Sequence, residues 1–231
     1  MAAEMKSKGI LKRIALFSDL SDSELDRVFR LMEEKSYSRG EIILNQEDEG
    51  DSMFVIIKGR VKIFLMAEDG REVILSIMKP GDFFGEMSLL DGKPRSASAS
   101  ALEPSDLLVL KRDGFASVIT ASPGIALKIM SEMSGRLRIA DERIGSLSLL
   151  DVYGRVARVL LQLAKSEGKP CPEGIVIESL PTHHDIASMV GSSRETVSRV
   201  LGDLSRRGYL TLTGRKAVIH EGFPRESITR R

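Results

Sequence analysis

Two stretches of this chain place chemically capable groups at close spacing. In the first, residues 81–100 (GDFFGEMSLLDGKPRSASAS), the run Gly85-Glu86-Met87-Ser88-Leu89-Leu90 is followed, nine residues after Glu86, by Arg95-Ser96-Ala97. A glycine opening a short helix lets backbone N–H groups approach an anion, and the helix N-terminus adds partial positive charge. An arginine supplies a planar fork for a phosphate monoanion, while a carboxylate accepts a hydrogen bond from a sugar hydroxyl. Taken alone, Glu86 and Arg95 also suit a structural ion pair that closes the loop.

The second stretch begins at Pro181-Thr182-His183-His184-Asp185. Thr182 and Asp185 stand at capping-box positions, with Asp in place of the preferred Glu or Gln, and predict a helix from about His183 to Val190. Gly191 makes a turn. Ser192 with Glu195 reads as a second box, opening a helix to Arg207 with Gly208 just beyond its end. Two short helices joined by a glycine turn form a helix-turn-helix. On the second helix Val197, Val200, Leu201 and Leu204 share the buried side, and Arg194, Glu195, Ser198 and Arg199 are displayed where a helix laid in the major groove meets base edges. Local alternatives are that Glu195 only caps the helix and that Arg199 only pairs with it at i, i+4. Residues 209–220 (YLTLTGRKAVIH) then read as a hairpin turning near Gly214-Arg215-Lys216, a wing.

Little else suggests catalysis. His183 and His184 begin a helix and His220 lies in the wing, with no nucleophile or metal partner indicated, so neither an enzyme nor a metal site is expected. Cys171 is the only cysteine, which excludes an intrachain disulfide, a four-cysteine zinc site and a cysteine-ligated iron–sulfur cluster within one chain. Haem is not excluded by composition.

The elements that must position these residues are legible in outline. Gly40, Gly50, Gly59, Gly70, Gly81 and Gly92 recur every 9 to 11 residues with strand-like runs between them, at 41–44, 53–58, 60–66, 72–78 and 106–111. That cadence predicts a β-barrel or sandwich, with Asp69-Gly70 as a hairpin turn. Ahead of it, Ser21 and Glu24 form a capping box, and Leu25, Val28, Phe29 and Met32 follow at helical spacing. After Pro123, Ala126, Met130, Met133, Leu137, Ala140, Ile144 and Leu147 make an apolar seam of about three heptads, which predicts a parallel helix pair between two copies of the chain. In that register Arg136 meets Asp141 of the partner chain. The alternative is a stripe packed on its own barrel. Residues 151–167 add a helix with Val152, Val156, Val159, Leu160 and Leu163 on one face, and residues 168–174 (GKPCPEG) read as a loop before a strand at 175–177.

The chain's 231 residues allow one large domain or two small ones, and 42% hydrophobic with 29% charged residues exclude a disordered or fibrous chain. No run approaches the roughly 18 apolar residues of a membrane span, nor does the N-terminus read as a signal peptide; a cytoplasmic protein is expected. The net charge of +1 hides an asymmetry: residues 1–144 carry 21 Lys+Arg against 24 Asp+Glu, residues 145–231 carry 13 against 9. The mildly basic last third is compatible with nucleic acid.

Gly-Glu, a short apolar helix and Pro-Arg-Ser-Ala together resemble the phosphate-binding cassette of cyclic-nucleotide-binding domains. SSRETVSRVL is similar to the recognition helix of the catabolite-activator branch of the Crp/Fnr transcription regulators. The resemblance covers about Phe17 to Phe223. It implies an α+β fold: a cyclic-nucleotide-binding jelly-roll barrel (1–121), a dimerisation and hinge helix (122–150), and a winged helix-turn-helix (151–231). By this resemblance Gly85 and Glu86 hold a ribose and Arg95 and Ser96 a cyclic phosphate, with Met87 and Ser88 in the same cassette. Arg194 and Arg199 donate to guanines and Glu195 accepts from a cytosine of a TGTGA-type half-site. Thr182, Ser193, Ser198 and Lys216 complete the DNA set. The branch's adjacent Thr and Ser that touch adenine are here Ala140 and Asp141. Ala140 has no hydrogen-bonding side chain, and Asp141 suits the adenine amino group or the two donors of guanine. The expected effector is therefore cAMP, with cGMP as the alternative. The expected partners are double-stranded DNA, a second copy of the chain and, for an activator, RNA polymerase. A cyclic-nucleotide module acting on a protein partner remains the other reading, and it leaves the helix-turn-helix without purpose.

Overall fold

The computed structural model describes residues 11–224 except Arg13; the N-terminal stretch read for a leader, residues 1–10, lies outside them. The chain divides into two compact units, residues 1–136 and 137–231.

The first unit opens with a short 3₁₀ turn, Ala15–Phe17, and helix α1, Asp22–Arg30, whose Ser21–Glu24 capping box forms as expected. Eight strands follow: β1 Met32–Tyr37, β2 Ile42–Leu44, β3 Ser52–Lys58, β4 Val61–Met66, β5 Glu72–Met78, β6 Phe83–Phe84, β7 Ser98–Ala101 and β8 Ser105–Lys111. They make two antiparallel sheets in the orders β1-β8-β3-β6 and β2-β7-β4-β5, a jelly-roll-like arrangement. Strands β3 and β8 are apolar through their middles, Met53–Ile57 and Leu107–Leu110, because both of their faces are covered there. Phe54, Ile56, Leu107 and Val109 form one cluster with Val61, Met78, Phe84 and Ala99 of the neighbouring strands. Their alternates Met53, Val55, Leu108 and Leu110 pack on Phe17, Leu25, Val28, Phe115, Val118, Ile125 and Ile129 of the helical segments. Helix α2 (Met87–Asp91) interrupts the strands between β6 and β7, and α3 (Arg112–Ala121) follows β8.

Met32 departs from expectation. It opens β1 rather than continuing α1, because the edge strand MEEKSY pairs with β8 from Met32↔Leu110 to Tyr37↔Ser105. Charged residues on an exposed edge discourage further pairing and hide the strand from a hydrophobic pattern.

Helix α4, Gly124–Leu149, is 26 residues long, about 39 Å, and crosses the division between the units. Ile125 and Ile129 are buried in the first unit's core with Met133 against them. Met130, Leu137, Ile144 and Leu147 of the seam are 54%, 64%, 64% and 56% exposed.

The second unit holds α5 (Val152–Glu167), β9 (Lys169–Cys171), β10 (Gly174–Ile177), α6 (His183–Val190), α7 (Arg194–Arg206), β11 (Leu210–Thr213) and β12 (Lys216–His220). Its core joins Val156, Leu160 and Leu163 to Ile186, Val190, Val197, Leu201 and Leu204 and to Leu210, Ala217 and Ile219 of the wing. The GKPCPEG stretch, expected as a loop, contains β9, paired with β10 at the edge of the sheet order β11-β12-β10-β9. An edge is where a strand tolerates Pro170. The wing turns at Gly214-Arg215, with Lys216 already in β12 opposite Thr213. Among the described residues no single helix is long and apolar enough to cross a membrane.

Candidate functional site

Strand β6 delivers the chain to Gly85, whose φ of 81° lies in the left-handed region. A Cβ there would sit 2.9 Å from Arg95 Nη1 and 3.1 Å from the Ser52 carbonyl oxygen, so glycine serves both the turn and the approach of the arginine. Glu86 stands at the N-cap position of α2 without a side-chain capping hydrogen bond, and Gly50 seats that helix: a Cβ at Gly50 would lie 2.4 Å from Ser88 Cβ. Arg112 ties the seat together, donating through Nη2 to the carbonyls of Gly50 (2.8 Å) and Ser88 (3.0 Å).

Two charged side chains are buried around Gly85. Arg95 is 5% exposed; its Nη1 donates to the Gly85 carbonyl at 2.7 Å and its Nη2 to Ser52 Oγ at 3.3 Å, with the guanidinium 5.9 Å from the Phe54 ring centroid. No carboxylate stands within ion-pairing distance of it among the described residues. Burial pushes its pKa down, against Asp51 and then Glu86, which favour the cation. Glu86 is 2% exposed, and its Oε1 accepts from Arg136 Nη1 at 3.0 Å while its Oε2 is buried without a hydrogen-bond partner. Burial pushes its carboxyl up, and Arg136 opposes this. The loop-closing Glu86–Arg95 ion pair is thus absent, and the pair that forms is with Arg136. The cassette residues Gly85, Glu86, Met87, Ser88, Arg95 and Ser96 do come together, with Ser96 Oγ donating to Met87 Sδ at 3.4 Å.

Ala140 and Asp141 lie one turn and slightly more beyond Arg136 on α4, in the second unit, and both are exposed. Asp141 has no hydrogen-bond or ionic partner among the described residues. Within its own chain Arg136 folds back on β6, where Nη2 donates to the Phe83 carbonyl at 2.5 Å and the guanidinium lies 4.9 Å from the Phe83 ring centroid.

At the helix-turn-helix, Thr182 and Asp185 form the reciprocal capping box, and Gly191 closes α6 with φ 62°. The cap of α7 differs from expectation. Ser193, not Ser192, is the N-cap, accepting from the Thr196 N–H at 3.2 Å, which places Glu195 at the second helical position and outside a box. Backbone and Ser193 hydrogen bonds at the helix start hold the Glu195 carboxyl below its ordinary range. Val197, Leu201 and Leu204 are buried, while Arg194, Glu195, Ser198 and Arg199 are exposed together. Arg199 donates to Thr196 Oγ1 at 3.1 Å rather than pairing with Glu195. Lys216, half-exposed in the wing, lies 3.6 Å from Glu178.

Sequence reasoning missed Arg112, Ser52 and the Arg136 contact with the cassette. Their partners are backbone carbonyls or residues 43 and 50 positions away, which no local spacing announces. Among the described residues no group of three His, Cys, Asp or Glu side chains could hold a metal.

Comparison with known proteins agrees with both halves. Residues 34–122 match the cyclic nucleotide-binding domain and residues 154–221 the Crp-like helix-turn-helix domain. The chain is 34% identical over 222 residues to the CRP-like cAMP-activated global transcriptional regulator of Mycobacterium tuberculosis, covering 96% of this chain and 98% of that one. It is 34% identical over 218 residues to the cyclic AMP receptor protein of Thermus thermophilus, covering 94% and 98%. Among solved structures, the c-di-GMP responsive global regulator CLP of Xanthomonas campestris superposes with a TM-score of 0.75 at 25% identity, over 87% of this chain and 99% of that one.

Proposed function

The chain belongs to the Crp/Fnr family of transcription regulators, and from that premise we propose that it binds cAMP in the Gly85–Ser96 cradle and, as a homodimer, a TGTGA-type palindrome. One observation carries the ligand half: a buried guanidinium without a carboxylate and a buried carboxylate oxygen without a donor flank the same glycine. A buried cation is costly unless paired, and a cyclic phosphate supplies the missing anion. Arg95 uses Nη1 and Nη2 for protein acceptors and keeps further N–H groups, of its five, for phosphate oxygens. A ribose hydroxyl donates to Glu86 Oε2.

The exposed half of the α4 seam is the homodimer surface, and the domains divide at 1–121, 122–150 and 151–231. Arg194, Glu195 and Arg199 read bases, with Ser198 on the same face of α7; Thr182, Ser193 and Lys216 fix the register on the duplex. The protein acts in the cytoplasm on double-stranded DNA and, as an activator, on RNA polymerase.

Names of the similar regulators support cAMP as the effector. The unpartnered Asp141 supports a second reading, in which guanine presents two donors to that carboxylate. Discrimination against cGMP is accordingly weaker than in a receptor with Thr and Ser at these positions. Calorimetric titration with cAMP and cGMP tests both readings. Tight cAMP binding that vanishes in Arg95→Leu is expected, with nucleotide selectivity altered in Asp141→Ala. Titration without heat for either nucleotide contradicts the cradle assignment.

A further inference from the structure

His183 and Ser198 lie on the two helices of the helix-turn-helix, and their side chains meet: Nδ1 and Oγ are 2.7 Å apart. Ser198 is exposed on the face of α7 that displays Arg194, Glu195 and Arg199, and His183 is the half-buried first residue of α6. Ser117, Thr120, Ser134 and Ser146 each donate to the carbonyl four residues back in their own helices. Ser198 turns instead to the imidazole, whose Nε2 makes no hydrogen bond among the described residues.

We infer that His183 is a positioning residue for base readout, setting the direction of the Ser198 hydroxyl so that Ser198 reads an amino group in the major groove. This rests on the DNA-binding reading above and adds a specificity determinant to it. A free hydroxyl serves as donor or acceptor and discriminates poorly between base edges. A hydroxyl held by a ring nitrogen has its one proton assigned. With the ring proton on Nε2, the nitrogen that has no partner among the described residues, Nδ1 presents a lone pair to the hydroxyl. Ser198 then donates to Nδ1 and turns only lone pairs to the groove. The groups that present hydrogen there are the N6 amine of adenine and the N4 amine of cytosine, whereas guanine and thymine present acceptors at the corresponding edge.

The test is a binding profile over a palindrome randomised at each half-site position, taken for the full-length protein with saturating nucleotide. The wild type is expected to prefer adenine or cytosine at one position by about three- to tenfold, the worth of one hydrogen bond. His183→Ala and Ser198→Ala should reduce that preference below about twofold while the guanine preferences attributed to Arg194 and Arg199 persist, which shows the helix intact. His183→Asn sets a carboxamide oxygen near the place of Nδ1 and should restore the preference. A His183→Ala profile identical to wild type at every position overturns the inference and leaves the DNA reading standing. So does a loss that Asn fails to restore, since the ring is then merely structural. A wild type without any sequence preference overturns both.

Discussion

Glu86 and Arg136 form an ion pair at 3.0 Å that joins the cassette to α4, the helix whose next turns carry the exposed seam. Glu86 is 2% and Arg136 29% exposed, and only one carboxylate oxygen is used, since Oε2 remains buried and unpartnered. A sugar hydroxyl that reaches Oε2 therefore acts on a carboxylate already tied to α4. That gives the ligand a physical handle on α4 without any contact beyond the first unit.

Replacing Arg136 by Leu leaves a buried carboxylate without its counterion. Stability should fall by roughly 1–3 kcal/mol, measured by denaturant titration, the cost of stranding a buried charged acceptor. Nucleotide should still bind through Arg95, but DNA affinity should respond to it less than in the wild type. Undiminished coupling in this variant contradicts the handle.

The Glu86 carboxyl also sets a pH dependence. Burial raises it above its ordinary 4.5. Between that value and the raised one the folded protein holds more protons than the unfolded chain, so this group's stabilising contribution is complete below 4.5 and lost as pH rises through the folded value. A hydroxyl donated to Oε2 favours the ionised form, so nucleotide binding releases a proton and affinity rises with pH over the same window. Glu86→Gln should flatten both trends, measured as Tm and nucleotide Kd against pH relative to wild type. Parallel curves for the two proteins contradict the assignment.

The sequence showed what repeats or caps. The Ser21–Glu24 and Thr182–Asp185 boxes, the α4 seam, the Asp69-Gly70 hairpin and the displayed face of α7 are all local patterns, and the structure contains each of them. It hid what tertiary pairing decides. Strand β7, SASA, is buried at every position between β2 and β4, yet its small residues carry little strand propensity. The cassette was legible as a motif, but the identity of Glu86's partner was not, because a helix 50 residues away supplies it. The cap read at Ser192 falls at Ser193, because α7 begins at Arg194.

The exposed seam makes a sharp prediction about assembly. Asp in place of both Leu137 and Ile144 would bury unpaired charges between two α4 helices. Sedimentation should show a monomer that has lost tight palindrome binding, with nucleotide binding by the first unit retained. A double variant that stays dimeric places the contact elsewhere.

DNA recognition separates into base and backbone parts. Arg194→Ala should cost roughly 1–3 kcal/mol and relax the preference at one guanine. Lys216→Ala should weaken binding alike on all sequences and lower the slope of log affinity against log salt by about 1. In the free protein Lys216 is near Glu178, a half-exposed contact that phosphate must displace. Fluorescence anisotropy over a salt series checks both, and unchanged sequence preference in Arg194→Ala contradicts its role.

The central claim is that nucleotide in the Arg95–Glu86 cradle governs DNA binding, and one measurement addresses it: affinity for a TGTGA-type palindrome at fixed salt, with and without cAMP, for wild type and Arg95→Leu. The account predicts that cAMP tightens wild-type binding by about 5- to 150-fold, the usual range of such coupling, and that DNA tightens cAMP binding by the same factor. Arg95→Leu should stay at the nucleotide-free affinity throughout. Wild-type DNA affinity indifferent to every cyclic nucleotide would contradict the account.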